Sequence, residues 1–249
     1  WAFEEPAAAR RATEAIAAAL SLGAVPGLGE LPGLGEDRAR SLRDLTAAHP
    51  ADVGVLLSLL LHLVTLRPGE AVYLGARHLH AYLSGVAVEV MAASDNVLRA
   101  GLTPKHIDPS EVLRIVDPHT LDSPRLEPRV VAPGLVEWQP PVTDFKLLRA
   151  RLRGEPGDEP YAAACPEGQG VLDELGGSAE TVHIEVPYPT VLVVVSGRAR
   201  IERLDVEFAE VASVARGQSL YVSAGEAIEL SGAAEVFLAT VGEEWSRVS

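Results

Sequence analysis

From Phe145 to Val241 the chain is a succession of short strand-like runs, "FKLLRARL", "TVHIEV", "TVLVVVSGRARIE", "VASVA", "SLYVSA", "EAIELSG" and "AEVFLATV", cut by glycine-bearing turns. No other feature limits the fold as strongly. Many short strands in series leave edges that have to be closed, and a jelly roll or a barrel closes them.

The front of the chain has a different texture. Pro6 to Leu22 predicts a helix, with proline in the first turn, alanines along it and Gly23 after its end. "GAVPGLGELPGLGED" predicts a loop. Asp37 is placed to cap a second helix running to about Ala48, with Leu42 and Leu45 on one face. Pro50 opens a third helix through about Val64, apolar nearly all round and therefore expected to be buried. At Pro68 the texture changes again. "GEAVYLGARHLHAYLSGVAVEVMAAS" reads as strands, Ser110 to Val116 as a short helix, and the proline-rich stretch 117–143 as extended loop.

The bulk numbers exclude several functions. A chain of 249 residues with 47% hydrophobic content can bury one large core or two smaller ones. A net charge of −14 argues against nucleic acid held on a general basic surface, although local cations can hold a small anion. One cysteine, Cys165, leaves no internal disulfide framework and fits a reducing compartment, so a cytoplasmic location is expected. The longest apolar run, Val53 to Leu66, is interrupted by Ser58, His62 and Thr65 and is too short to span a bilayer, so no membrane partner is expected. The chain opens on Trp1 without an initiator Met, and residues upstream of it are expected.

One glycine frame occurs twice. Gly69 is followed by five residues, then Gly75, Arg77 and His80, which resembles the second half of a cupin signature: a glycine, five residues, Pro-x-Gly, two residues and a metal-binding His. The frame recurs at Gly217, with Ser223, Ala224 and Gly225 in the turn and Ile228 in the His slot. Upstream of it, Gly197 ends "TVLVVVSG" as a hairpin would, and His183, Glu185 and Thr190 stand where metal ligands would be. Thr190 and Ile228 are poor ligands, so this second barrel is expected to hold no metal. The expected fold is mainly β. It comprises cupin-type jelly-roll barrels, one of metal type and incomplete in this chain, one C-terminal and non-metal, with a helical insert. The expected divisions are a helical unit at 1–66, the later part of a catalytic barrel with its linker at 67–143, and a C-terminal barrel at 144–249.

The runs "PGEAVYLGARHLHAYLSG" and "EVMAASDNVLRAGLTPK", followed by the all-β tail, resemble type I mannose-6-phosphate isomerase, and the resemblance covers the latter two-thirds of that family's length. It implies reversible conversion of mannose 6-phosphate to fructose 6-phosphate with one zinc ion. His80 matches the family's last zinc ligand. The other ligands, a Gln-x-His pair and a Glu, have no match here and are expected upstream. The resemblance further implies a sugar phosphate as partner, with a monomer or weak homo-oligomer expected.

Each site residue also has an ordinary reading. His80 could be a buried histidine satisfied by hydrogen bonds; the frame and the resemblance favour a zinc ligand. His78 shares its strand face and reads as pocket wall, while His62 reads as a helix residue, His106 as a loop residue and His183 as a strand residue. Tyr82, two residues after His80, is expected to line the pocket. Glu89, among apolar neighbours, is either a structural ion pair or a polar group near the reacting end of the substrate. Asp95 shapes the "SDN" turn or, by the resemblance, transfers a proton. Arg99 is a surface residue or a guanidinium aimed at enediolate charge. Lys105 is, by the resemblance, a base or an electrostatic stabiliser. The base itself stays open between Asp95, Lys105, Glu89 and a metal-bound water. A non-catalytic cupin binding a sugar or another small ligand, and a structural protein using barrels as scaffold, are the alternative readings.

Overall fold

The computed structural model describes residues 1–21, 35–94, 96–121, 123–154, 176–204 and 210–242; Asp95, Cys165 and most of the glycine-proline loop after Leu22 lie outside them. The chain divides into two compact units. Unit one comprises Trp1–Thr65, Leu74–Ala87 and Ser94–Thr120, and unit two comprises Leu66–Tyr73, Val88–Ala93 and Leu121–Ser249. Among the described residues every helix falls in the first and every strand in the second.

Unit one is built on α1 (Pro6–Ser21), α2 (Glu36–Ala48) and α3 (Val53–Leu59), followed by a short α4 (Pro109–Ile115). Leu20, Leu42, Leu45 and Val55 form its core, with Ile16, Leu59 and Leu102 packed against them. Gly35, not Asp37, is the N-cap of α2 and offers no side-chain bond. Asp37 sits inside the first turn, where its charge suits the positive end of the helix and pairs with Arg40 at 3.0 Å. The third helix is shorter than its apolar run predicts. Asp52 caps it, and Arg38 ends it by donating to the carbonyls of Ser58, Leu59 and Leu61. The Ser58 carbonyl also takes the Leu61 N–H at 3.3 Å, and the guanidinium adds a donor at the end of the helix, where carbonyls run out of intrahelical partners. Apolar character all round does not bury the segment: Leu60 is 82% exposed and His62 lies beyond the helix.

Among the described residues unit two holds two antiparallel sheets, one of two strands and one of eight. Its small part pairs β1 (Ala71–Val72) with β2 (Arg125–Leu126). Glu70 fastens this pair, accepting from the Arg67 backbone N–H at 2.7 Å and meeting Arg125 at 2.9 Å. The Arg67 N–H and then the Arg125 side chain hold the Glu70 carboxyl below its usual range. The large part runs β3 (Arg129–Ala132), β4 (Leu135–Trp138), β5 (Lys146–Arg153), β10 (Glu226–Thr240), β7 (Thr190–Arg203) and β8 (Val211–Ala215), with β6 (Thr181–Val186) on β10 and β9 (Ser219–Val222) on β7. The long strands β7 and β10 each serve two neighbours on one edge, so the sheet must bend across them. Alternate residues of β5, β6, β7 and β10 point inward, among them Leu148, Ile184, Leu192, Val194, Ile228, Leu230, Val236 and Leu238.

Several sequence expectations change here. Gly197 does not end a strand: β7 continues through it, and "EAIELSG" and "AEVFLATV" join through Gly232 into the single strand β10. The proline-rich 117–143 stretch carries β2, β3 and β4, because its prolines bound the strands and do not interrupt them. His183 and Glu185 face outward on β6 while Thr190 faces inward, so period-two geometry separates the three residues aligned with metal slots. Conversely, 73–94 contains no strand among the described residues, although its β-branched composition suits one. A strand needs a paired edge as well as a propensity.

Candidate active site

The residues singled out around Arg99 and His80 sit on irregular backbone, and two anchors fix that backbone within unit one. The first is at α4. Arg77, with φ 74°, donates from Nε to the Ile115 carbonyl at 2.7 Å, and the Asp117 N–H returns a bond to the Arg77 carbonyl at 3.0 Å. Asp117 is itself engaged by the backbone N–H of His119 at 3.0 Å and by its ring at 2.6 Å, and these bonds hold its carboxyl below the usual range. Three residues past Arg77, His80 turns Nδ1 to the His78 carbonyl at 2.9 Å. A ring nitrogen bonded in this way leaves Nε2 as the atom facing outward. The Tyr82 ring stands 6.0 Å from the His80 ring at a 56° tilt, and both side chains are exposed. His78 bonds the Gly75 carbonyl through its ring at 3.2 Å.

The second anchor is at α3. Asp52 accepts from Leu102 N–H at 3.0 Å as well as from Gly54 N–H at 2.7 Å. Leu102 thus lies between Arg99, which is half-buried beside the buried Ala100, and Lys105, which is exposed with its N–H on Thr103 Oγ1 at 3.2 Å. Sequence reasoning missed Asp52 as the link, although an aspartate just before an apolar helical run is a capping signal.

The structure brings His80 and Tyr82 together. It does not gather all the charged candidates into one hydrogen-bonded cluster: among the described residues neither Arg99 nor Lys105 forms an ion pair, and Glu89 belongs to the other unit. A cavity of about 490 Å³ in unit one is lined by Gly35, Glu36, Asp37, Arg38, His62, Leu63 and Thr65, and by none of these candidates. No group of three or more His, Cys, Asp or Glu side chains able to hold a metal occurs among the described residues. His80 is one donor without companions, so the described part of this chain does not fit a zinc site by itself.

A bent antiparallel jelly-roll unit, joined to helices and to a histidine- and arginine-bearing loop stretch, defines a cupin-like protein. Its relatives make the class specific. Mannose-6-phosphate isomerase 1 of Arabidopsis thaliana is 31% identical over 207 residues, 83% of this chain and 41% of that protein. Mannose-6-phosphate isomerase of Escherichia coli is 46% identical over 107 residues, 43% of this chain and 27% of that protein. The apo form of mannose 6-phosphate isomerase from Salmonella typhimurium superposes with a TM-score of 0.68 at 27% identity, over 94% of this chain and 50% of that one. No family model matches. The chain is thus a relative, in sequence and in fold, of the mannose-6-phosphate isomerases, and it spans less than half the length of the curated relatives it matches.

Proposed function

We propose that this chain is the later part of an aldose-ketose isomerase that interconverts mannose 6-phosphate and fructose 6-phosphate. The observation that carries this reading is the 31% identity over 207 residues to an isomerase of that name, with the fold retained at a TM-score of 0.68 in a second. The reaction moves one proton between C2 and C1 through a cis-enediolate, so it needs a base at carbon and a positive group at the developing oxyanion. Arg99 is the positive group in this reading, and Asp95, Lys105 and Glu89 are the candidate bases. Tyr82 lines the sugar pocket. His80 contributes one nitrogen to a zinc site whose remaining donors lie outside this chain. The metal would supply Lewis acidity. The protein works in the cytoplasm as a monomer or weak homo-oligomer, with 67–143 contributing to the catalytic barrel and 144–249 forming a metal-free one.

The exposed apolar side chains of the irregular stretch, Tyr82, Leu83, Val86, Val97 and Leu98, fit this reading. Apolar residues of strand-like composition, left in solvent and without a paired edge, are what a barrel wall shows when its companion strands are elsewhere.

The test is steady-state isomerisation of mannose 6-phosphate by the full protein and by its Arg99→Ala and Arg99→Lys variants. The enediolate carries more charge in the transition state than the bound sugar does, so a group aimed at it acts on turnover. Arg99→Ala is expected to lose about 10²–10³ in kcat, with melting temperature and zinc content little changed. Arg99→Lys keeps the charge but loses the planar fork and is expected to fall between the two. Wild-type turnover in both variants makes Arg99 a structural residue. No turnover by the unsubstituted full protein, with a sugar bound stoichiometrically, favours a non-catalytic sugar-binding cupin.

A further inference from the structure

We propose that Asp52 is a positioning residue for the Arg99–Lys105 loop, a carboxylate latch that holds the loop to the start of α3; this rests on the isomerase reading of that loop. Asp52 lies before α3 and accepts the Gly54 N–H at 2.7 Å, as an ordinary N-cap does. The same oxygen, Oδ1, also accepts the Leu102 N–H at 3.0 Å, fifty residues away in sequence. A cap needs only the first bond. The second reaches the middle of the loop that carries Arg99 and Lys105.

The backbone around this bond is shaped to allow it. A Cβ on Gly54 would lie 2.7 Å from Leu102 Cγ, and one on Gly101 would lie 2.7 Å from the Gly54 backbone and 2.8 Å from Asp52 Oδ1. Both glycines therefore let two chain segments touch where side chains would separate them. Leu102 adopts φ 55° and Gly101 φ 156°, conformations that cost energy for ordinary residues and persist only where surroundings hold them. The Leu102 side chain packs on the helical core formed by Leu20, Leu42, Leu45 and Val55. Behind Asp52, its own carbonyl lies 3.4 Å from Thr13 Oγ1 of α1, a fully buried hydroxyl shared with the Ala9 carbonyl at 3.0 Å. The loop is thus pinned at Leu102 to a rigid three-helix base, three residues from Arg99 and three from Lys105. A loop held at its midpoint keeps both cations in register. Released there, it lets them drift, and a displacement of about 1 Å at a reacting group can cost about 10²-fold in rate.

Three substitutions separate the latch from the cap. Asp52→Asn keeps an oxygen that can accept both N–H groups. Asp52→Ser keeps the cap on Gly54 but is too short to reach Leu102. Asp52→Ala loses both. In the full protein, kcat and KM for mannose 6-phosphate, melting temperature and amide exchange of 99–105 are measured for each. Asp52→Asn is expected to stay within about twofold of wild type in kcat, and Asp52→Ser to lose about tenfold or more. The Asp52→Ser loss should come with a melting temperature near that of wild type and faster exchange confined to 99–105. Asp52→Ser with wild-type kcat and unchanged exchange overturns the latch, whatever Asp52→Ala does to folding. So does an Asp52→Ser whose loss of kcat simply follows a fall in melting temperature. If the unsubstituted protein shows no turnover, the isomerase reading fails. The exchange comparison then decides the latch by itself: faster exchange of 99–105 in Asp52→Ser upholds it, and unchanged exchange overturns it.

Discussion

Gly197→Ala is expected to abolish the cooperative fold of the β unit, at a cost of at least about 4 kcal/mol. Gly197 lies in the middle of β7, opposite Ala234 of β10, with φ 71°. A Cβ built there would stand 1.9 Å from the Ala233 carbonyl oxygen and 2.9 Å from the carbonyl carbon. The obstacle is backbone in the most heavily paired ladder of the sheet, so no side chain can rotate away. Either the β7–β10 pairing opens at its centre or β7 changes conformation, and each disturbs the buried residues on both strands, Leu192, Val194, Ala234 and Val236. Gly225→Ala is the control. It has a similar φ of 84° but nothing within 4 Å of the added carbon, so only left-handed strain is expected, about 1–2 kcal/mol. Urea unfolding of wild type and both variants, followed by far-ultraviolet circular dichroism, measures the difference. Equal midpoints for the two variants would mean that the close approach of β7 and β10 at Gly197 does not support the fold.

The same glycine shows how far the sequence could be read. "TVLVVVSGRARIE" is visibly strand, and its inward residues follow from alternation. The role of Gly197 is not visible, because a glycine that ends a strand and one that lets a strand bend against its neighbour look alike from one segment. Only the neighbouring β10 strand distinguishes them: Gly197 pairs with Ala234, and two residues along the same ladder Gly232 pairs with Ala199, where an added Cβ would meet the Arg198 carbonyl at 2.7 Å, 35 residues on (232 − 197). The strands at 125–138 were hidden for a related reason. Pro124, Pro128, Pro133 and Pro140 give the stretch the composition of a loop, yet each stands just outside a strand, where a missing N–H costs nothing. The stretch 73–94 failed in the opposite direction. Its pattern is that of a strand, but pattern cannot supply a partner.

Of the candidate site, residue types and order were legible from "HLHAYLSG" and "SDNVLRAGLTPK". How the loop is held was not. The bond from Leu102 to Asp52 joins elements fifty residues apart, and the bond from Arg77 to Ile115 joins elements 38 residues apart. Local period carries no trace of either. The physical division is general to this chain: which face a residue takes follows from its neighbours two or four positions away, while what fastens a loop follows from chain that is distant in sequence.

Inside the β unit the same limit hid a buried ion pair, and its removal is expected to have the second large effect. Lys146 begins β5 with no exposed surface, and its Nζ lies 3.3 Å from Oε2 of Glu137, whose side chain is 3% exposed. Arg129 of β3, 65% exposed, donates to the other carboxylate oxygen through Nε at 2.7 Å. Lys146 shares the inward face of β5 with Leu148, Ala150 and Leu152, so composition alone would assign this position an aliphatic residue. A charge there is tolerated because it is paired, and taking away Lys146 leaves Glu137 with Arg129 on Oε1 while Oε2 loses its donor inside the protein. Lys146→Met is therefore expected to destabilise the unit by about 1–3 kcal/mol, even though methionine fills similar space and is more apolar. Arg129 still balances the carboxylate charge, but it bonds Oε1 and leaves Oε2 without a donor. The double substitution Lys146→Met with Glu137→Leu removes both charges and leaves Arg129 free to hydrate. It should regain most of the loss, because replacing a whole buried pair with packed apolar groups is often neutral or stabilising. A double-mutant cycle in urea, with Glu137→Leu as the fourth corner, gives the coupling directly. Non-additivity, with both single variants less stable than the double, is the expected result. Additive losses would mean that the two charges are solvated independently and that the pair does not set the register of β4 against β5.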